Sequence, residues 1–322
     1  MRKLIIQIPC YNEEATLGQA LDALPRQLPG VDKVEWLVID DGSTDRTVEV
    51  ARAHGVDHVI ELRRNGGLAR AFMAGLDFGI RTGADIIVNT DADNQYDAKD
   101  IPLLIGPILR GEAEIVVGER PITDIDHFSW GKKLLQRMGS GVVRMASGTR
   151  IPDAPSGFRA ISRDAAMRTN VFDNYTYTLE TIIQAGRKGM AITSVPIHTN
   201  PDLRPSRLVS SIPRYVQRSC FTIVRIFMTY RPFRFFALPG ILLSLAGLGP
   251  MAYFLYLYFV LHESEGHIQS LVIGASMLSV GFMLIITAFL AELIGINRML
   301  LEDLRWRQRQ MEYREHARRF GQ

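Results

Sequence analysis

Cysteine is nearly absent. Cys10 and Cys220 are the only two in 322 residues, which excludes a disulfide framework and an all-cysteine zinc site and fits a reducing compartment. A strong excess of one charge is also lacking. The formal net charge of +3 and pI near 8.9 leave any anionic ligand to local clusters, so no nucleic-acid partner is expected. The amino terminus has no signal-peptide core: the apolar run after Arg2 and Lys3 stops at Pro9 and reads as a strand. Two later stretches, Phe235 to Leu261 and Ile268 to Ala291, contain no charged residue at all. Each exceeds the ~20 apolar residues that a bilayer crossing takes.

What is present over the first part of the chain is an alternation. Ile- and Val-rich runs at Lys3 to Ile8, Glu35 to Asp40, His58 to Leu62, Asp85 to Thr90 and Glu114 to Val117 read as buried strands. Between them apolar residues recur at helical spacing, as in Leu17, Ala20, Leu21 and Leu24, or Leu68, Phe72, Leu76 and Ile80. Strand and helix in turn predict an α/β layer with a mostly parallel sheet. Ligands of such sheets gather beyond the carboxyl ends of the strands. That rule singles out Tyr11-Asn12-Glu13, Asp40-Asp41-Gly42-Ser43 and Asp91-Ala92-Asp93. Past Val117 a helical stretch from Trp130 to Ala146, a Pro- and Gly-punctuated turn from Ile151 to Phe158 and a helical stretch from Leu179 to Lys188 read as the second half of the same domain.

Asp91 and Asp93 leave an apolar strand, and an i, i+2 pair on extended backbone points to one side. Two convergent carboxylates repel unless a cation lies between them. A hard ion, Mg²⁺ or Mn²⁺, held by one or two carboxylates plus substrate phosphates, meets that need.

Taken with Ile8-Pro9-Cys10-Tyr11-Asn12-Glu13-Glu14, Val38-Ile39-Asp40-Asp41-Gly42-Ser43-Thr44-Asp45, Asn65-Gly66-Gly67, Gly118-Glu119-Arg120 and Ser156-Gly157-Phe158-Arg159-Ala160, the Asp91-Ala92-Asp93 segment followed by Gln95 resembles the family 2 glycosyltransferases. It is most similar to their dolichol-phosphate mannose synthase branch, over about the first 210 residues. The resemblance implies a GT-A nucleotide-sugar-binding domain. Pro9, Tyr11 and Glu13 would border the nucleobase and ribose of a nucleotide sugar donor, with Asp40 or Asp41 accepting from base or ribose. Asp91, Asp93 and Gln95 would gather the metal and the diphosphate, and Arg204 and Arg207 resemble a basic loop that closes over the pyrophosphate. Arg120, Lys132 and Arg159 fall where the branch meets the acceptor phosphate. The sequence departs from the branch there, with Lys132 in place of an arginine and Gln136 in place of a small hydroxyl residue; lysine keeps the charge but not the bidentate fork.

Flanking charge predicts orientation, because arginine and lysine in short segments stay cytoplasmic. Arg204, Arg207, Arg214, Arg218, Arg225, Arg231 and Arg234 precede the first apolar run with no acid among them, and Arg298, Arg305, Arg307 and Arg309 follow the second. The intervening loop carries Glu263 and Glu265. Arg207, Arg214, Arg218 and Arg225 make one stripe on a helix beside Ile212, Val216, Ile223 and Phe227, as an interfacial helix would. The expected organisation is a catalytic domain over 1–206, a basic amphipathic juxtamembrane helix over 207–234, a transmembrane hairpin over 235–296 with spans 235–261 and 268–294, and a basic cytoplasmic tail over 297–322. Pro239 and Pro250 are expected to kink the first span, and Gly274, Ala275 and Gly281 could pack against further copies.

The resemblance, the basic residues and the orientation together imply inverting transfer from a nucleoside diphosphate sugar to a polyprenyl phosphate. A phosphate monoester with a second pKa of about 6 is largely dianionic at neutral pH, so it attacks without a general base. A glycolipid hydroxyl acceptor is the rival; Glu180 lies near where such an enzyme places its base, and it could instead touch the sugar or make a structural bond. A non-catalytic scaffold is disfavoured by the intact Asp91, Asp93 and Gln95 set, and a processive polysaccharide synthase by the absence of a Gln-Xaa-Xaa-Arg-Trp motif.

Overall fold

The computed structural model describes residues 1–121, 141, 144–145, 147–171, 177–201, 221, 224–225, 228–262 and 267–320. Two compact units divide the chain: Met1–Val216 together with Glu302–Gln322, and Gln217–Leu301.

The first unit is built on a seven-stranded sheet. Four parallel strands, β1 (Lys3–Cys10), β2 (Lys33–Asp40), β3 (His58–Glu61) and β4 (Ile86–Asn89), stand where the Ile- and Val-rich runs lie. With β5 (Ile115–Glu119), β6 (Arg159–Ser162) and β7 (Ile192–Pro196) they assemble in the order β3-β2-β1-β4-β6-β5-β7. β6 runs antiparallel between β4 and β5, and β7 pairs parallel with β5. Side chains of the central strands are buried on both faces, which explains the continuous rather than alternating apolar runs.

One face of the sheet packs Leu4, Ile6, Ile8, Val38 and Val88 against Leu17 and Leu21 of α1 (Leu17–Asp22) and Leu104 and Ile105 of α4 (Ile101–Leu109). α2 (Thr47–Ala53) adds Ala51 to that layer. The other face is covered by α3 (Leu68–Arg81), α5 (Arg163–Arg168) and α6 (Tyr177–Arg187), with Phe72, Leu76 and Ile80 of α3 buried. Each such apolar side chain contributes about 1.5–3 kcal/mol on burial. The expected helix over Trp130 to Ala146 lies almost wholly outside the described residues. β6 and β7 differ from the expectation of turn and helix alone, because strands of four and five residues without alternation carry little local signal.

In the second unit α7 (Pro232–Tyr256) continues into a π-helical turn at Leu257–Leu261. Pro239 and Pro250 lie inside α7 without ending it. α8 (Ile268–Phe320) is a single helix. It runs on past the apolar stretch into the basic tail, since from Ile296 to Phe320 neither glycine nor proline interrupts a run of good helix formers. Both helices are long and apolar enough to cross a membrane, and their apolar side chains are mostly exposed, Leu245 at 60% and Met283 at 70% among them. Such a surface suits lipid and not a buried core.

The glycines of this hairpin serve its own seam. A Cβ on Gly240 would lie 2.8 Å from the carbonyl of Gly281, and one on Gly247 would lie 2.8 Å from that of Gly274. Backbones this close need small residues. Gly274 and Gly281 are therefore used within the chain, while Ala275 faces outward. Gly281→Leu is expected to part the two helices and lower the thermal midpoint of the detergent-solubilised chain, an overpacking cost of roughly 1–3 kcal/mol or more. Gly295→Leu, at a position with nothing within 4 Å, should leave it unchanged; equal effects of the two would refute the seam.

Candidate active site

The three polar loops singled out in the sequence meet at the carboxyl ends of β1, β2 and β4. Asn12, at φ +54°, ties the first two together: its N–H donates to Ser43 Oγ at 2.9 Å, and its Oδ1 accepts from the Thr44 N–H at 2.8 Å. Glu13 N–H donates to Thr47 Oγ1 at 2.9 Å, and its carboxylate accepts from Thr16 Oγ1 at 2.9 Å. Pro9 is buried in β1, whereas Tyr11 is exposed at the loop tip.

The two neighbouring aspartates differ in what they hold. Asp41 accepts from Gly66 N–H at 2.9 Å and Gly67 N–H at 2.7 Å, one on each oxygen, and so fixes the Asn65-Gly66-Gly67 loop. Asp40 accepts the single Ser43 N–H, shared between its oxygens at 3.2 and 3.1 Å. A carboxylate has about four acceptor sites, so Asp40 retains more capacity for a hydroxyl. Gly42 sits at φ +75°, and a Cβ there would meet the Arg64–Asn65 peptide at 2.8 Å. Only glycine allows this crossing of the two loops.

Asp91 is half-buried two residues beyond β4. Burial, and then the charge of Asp93, push its carboxyl up to about 7, against the pull of Arg120. Asp93 Oδ1 accepts the Gln95 N–H at 3.2 Å, closing a turn through Asn94 at φ +55°. Among the described residues no three His, Cys, Asp or Glu side chains cluster as a complete metal cage. Two aspartates, one with its carboxyl raised by burial and by its neighbour's charge, nevertheless fit a hard cation whose other ligands are phosphate oxygens and water. The slot is shaped by Gly157, where a Cβ would lie 3.0 Å from both Asp91 oxygens and from the Tyr177 hydroxyl.

A buried polar relay holds that slot. Asn89 donates to the Gly157 carbonyl and to Tyr177 Oη, each at 2.9 Å, and accepts from Gln7 Nε2 at 2.8 Å. Tyr177 stacks on Phe72 with ring centroids 3.9 Å apart, and Tyr96 Oη accepts from Gly157 N–H at 3.0 Å. Sequence reasoning missed Asn89, Tyr96 and Tyr177. The available signal was Gln7 and Asn89, polar residues inside apolar strands, since a buried polar group needs a partner.

The expected acceptor-side cations part ways. Arg120, just past β5, donates through Nε at 2.7 Å and Nη2 at 3.0 Å to Asp153, a fully buried aspartate that the sequence reading also missed. Its charge still reaches Asp91. Arg159 is fully buried, and its guanidinium donates to the carbonyls of Ser156 at 2.8 Å, Thr178 at 2.8 Å and Ala154 at 2.7 Å and to Thr181 Oγ1. Burial holds it below the ordinary arginine range. Arg159 is thus enclosed and braces the Ser156-Gly157 turn, and its charge, like that of Arg120, still acts on Asp91. Glu180 is buried on α6 and accepts from Gln184 Nε2 at 3.4 Å. Lys132, Gln136, Arg204 and Arg207 lie outside the described residues. Asn200, four positions before Arg204, donates from its backbone N–H to the Gln95 carbonyl and from Nδ2 to the Asn94 carbonyl, each at 2.9 Å.

The family model described as "Glycosyl transferase family 2" matches residues 5–169. The undecaprenyl-phosphate mannosyltransferase of Micrococcus luteus is 29% identical over 211 residues, 61% of this chain and 83% of that protein. The dodecaprenyl-phosphate galacturonate synthase of Rhizobium johnstonii is 26% identical over 311 residues, 91% of this chain and 88% of that protein. Among solved structures, glucosyl-3-phosphoglycerate synthase from Mycobacterium tuberculosis, in complex with Mn²⁺, UDP and glucosyl-3-phosphoglycerate, superposes with a TM-score of 0.54 at 25% identity, covering 69% of this chain and 80% of that one.

Proposed function

The chain belongs to glycosyl transferase family 2, and we propose that it transfers a sugar, with inversion, from a nucleoside diphosphate sugar to a polyprenyl phosphate at the cytoplasmic membrane face. The observation that carries this reading is the Asp91 and Asp93 pair beyond β4, with Arg120 tempering the charge of Asp91. Two relatives named for polyprenyl phosphates support the acceptor class, one of them over 91% of the chain. The exposed apolar helices supply the surface on which a lipid substrate is met.

Asp91 and Asp93, with Gln95 beside them, would hold Mg²⁺ or Mn²⁺. Bound there, the ion would offset the charge that develops on the departing nucleoside diphosphate. On the donor side Pro9, Tyr11, Glu13 and Asp40 border base and ribose, while Asp41 acts through the loop that it holds. Arg120, oriented by Asp153, and Lys132 neutralise the acceptor phosphate, and Arg204 and Arg207 cover the pyrophosphate. Catalysis is then mainly positioning and charge compensation.

Incubating the detergent-solubilised full chain with a panel of nucleotide sugars and labelled polyprenyl phosphate should give a lipid product cleaved by mild acid. Transfer confined to a glycolipid hydroxyl, or none to any acceptor, would overturn the reading. Cysteines placed singly at His267 and Arg318, in a background without Cys220, should label from opposite sides of sealed vesicles. Labelling of both from one side would refute the hairpin.

A further inference from the structure

On α8, Glu302, Trp306, Arg309 and Tyr313 are spaced by four, three and four residues, one face of a helix. All four meet other parts of the first compact unit. Glu302, 5% exposed, accepts from Lys188 Nζ at 2.9 Å. Arg309 pairs with Asp77 of α3 at 2.9 Å and donates to the carbonyls of Met167 at 3.2 Å and Thr169 at 3.1 Å. Those carbonyls close the carboxyl end of α5, where backbone acceptors lack helical partners. Trp306 lies under the Arg168 guanidinium at 5.0 Å and Tyr313 under that of Arg163 at 4.6 Å, with a hydrogen bond from Arg163 to the Tyr313 hydroxyl. Arg163 also donates to Ala84 O at 2.7 Å, Gly83 O at 2.8 Å and Asp85 Oδ1 at 2.6 Å, the turn that feeds β4 and hence Asp91.

We infer that the catalytic unit is discontinuous in sequence and is completed by the helix that follows the second apolar span. By sequence, the basic residues after that span read as a cytoplasmic tail under the flanking-charge rule. Arg307 is a solvated surface charge, 66% exposed and, among the described residues, paired with Asp303 of its own helix, but Arg309, two residues on and on the opposite face, is not. Without the tail, Asp77 and the α5 carbonyls would lose the Arg309 guanidinium, Lys188 its pair with Glu302 and Arg163 its contact with Tyr313, and α3, α5 and α6 would lose the element that fastens them. The unit therefore reaches full stability only after the chain has been made through both apolar segments. The contact also places the tail and the nucleotide-sugar fold in one compartment. This inference does not depend on which sugar or acceptor is used.

Amide hydrogen exchange on the detergent-solubilised full chain tests it. Glu302→Ala, Arg309→Ala and Asp77→Asn should each raise exchange in α5 and α6 on the order of tenfold or more, and Arg307→Ala should not. Asp77→Asn combined with Arg309→Ala should add little to either alone, as partners in one contact do. Should Arg309→Ala fail to fold, Arg309→Lys keeps the charge but cannot span Asp77 and both carbonyls, and should show the same local pattern more weakly. Unchanged exchange in α5 and α6 across these variants, or strictly additive effects of Asp77 and Arg309, would overturn the inference.

Discussion

Asp93→Asn is expected to lower sugar transfer by about a thousand-fold or more while leaving the fold intact. The half-exposed asparagine keeps an oxygen for the Gln95 N–H, the turn bond that Asp93 makes at 3.2 Å, and loses only the charge. A thousand-fold loss corresponds to about 4 kcal/mol of transition-state stabilisation, a magnitude suited to a metal ligand at a departing diphosphate. Asp93→Ala should be no better. Activity that persists in this variant and in excess chelator would remove the metal from the scheme.

The same pair makes a prediction that needs no turnover. In the metal-free chain Asp91 titrates at about 7, above the ~3.9 of an unfolded aspartate. The folded state therefore holds the extra proton, so its advantage is present at low pH and is lost as pH rises toward 7. Measured in chelator, the thermal midpoint of the wild-type chain relative to Asp91→Asn should fall between pH 5 and pH 8. Added Mn²⁺ with UDP should raise the wild-type midpoint at pH 8 and leave that of Asp91→Asn little changed. A pH-independent difference between the two proteins would show that burial and the charge of Asp93 do not raise the Asp91 carboxyl.

Arg120→Lys is expected to cut acceptor use by roughly tenfold to 150-fold, the equivalent of a charge-assisted hydrogen bond worth about 1.5–3 kcal/mol. Lysine keeps the charge beside Asp91 but cannot make the two-point contact with Asp153 seen at 2.7 and 3.0 Å. Alanine is the poorer probe: it would strand Asp153, which is fully buried, and breaking such a pair costs about 3–5 kcal/mol of stability. Asp153→Asn should reproduce the acceptor KM effect of Arg120→Lys more weakly, as a positioning residue would. Glu180→Gln should change the rate only modestly, because a dianionic phosphate needs no base. If instead Glu180→Gln alone collapses activity, and alkaline pH partly restores it, the acceptor is a hydroxyl.

Hydrophobic periodicity is a local property, and the sequence by itself determined what depends on it. It sufficed for the first five strands, for the polar loops at their carboxyl ends and for two apolar stretches fit for a membrane, and the ordered motifs from Ile8 to Ala160 identified the family. Charges carry no such local label. Asp40 and Asp41 are adjacent and read alike, yet Asp41 has both oxygens on a loop 25 and 26 residues away. Arg120 and Arg159 both looked like phosphate cations, but only the packing of α6 and the Ser156-Gly157 turn around Arg159 shows its guanidinium enclosed. Arg309 and Arg307 sit two residues apart in one basic tail, and a contact 142 positions distant separates a clasp from a solvated charge. Tertiary structure decided these roles because burying a charge requires partners, and in this chain the partners come from segments far apart in sequence.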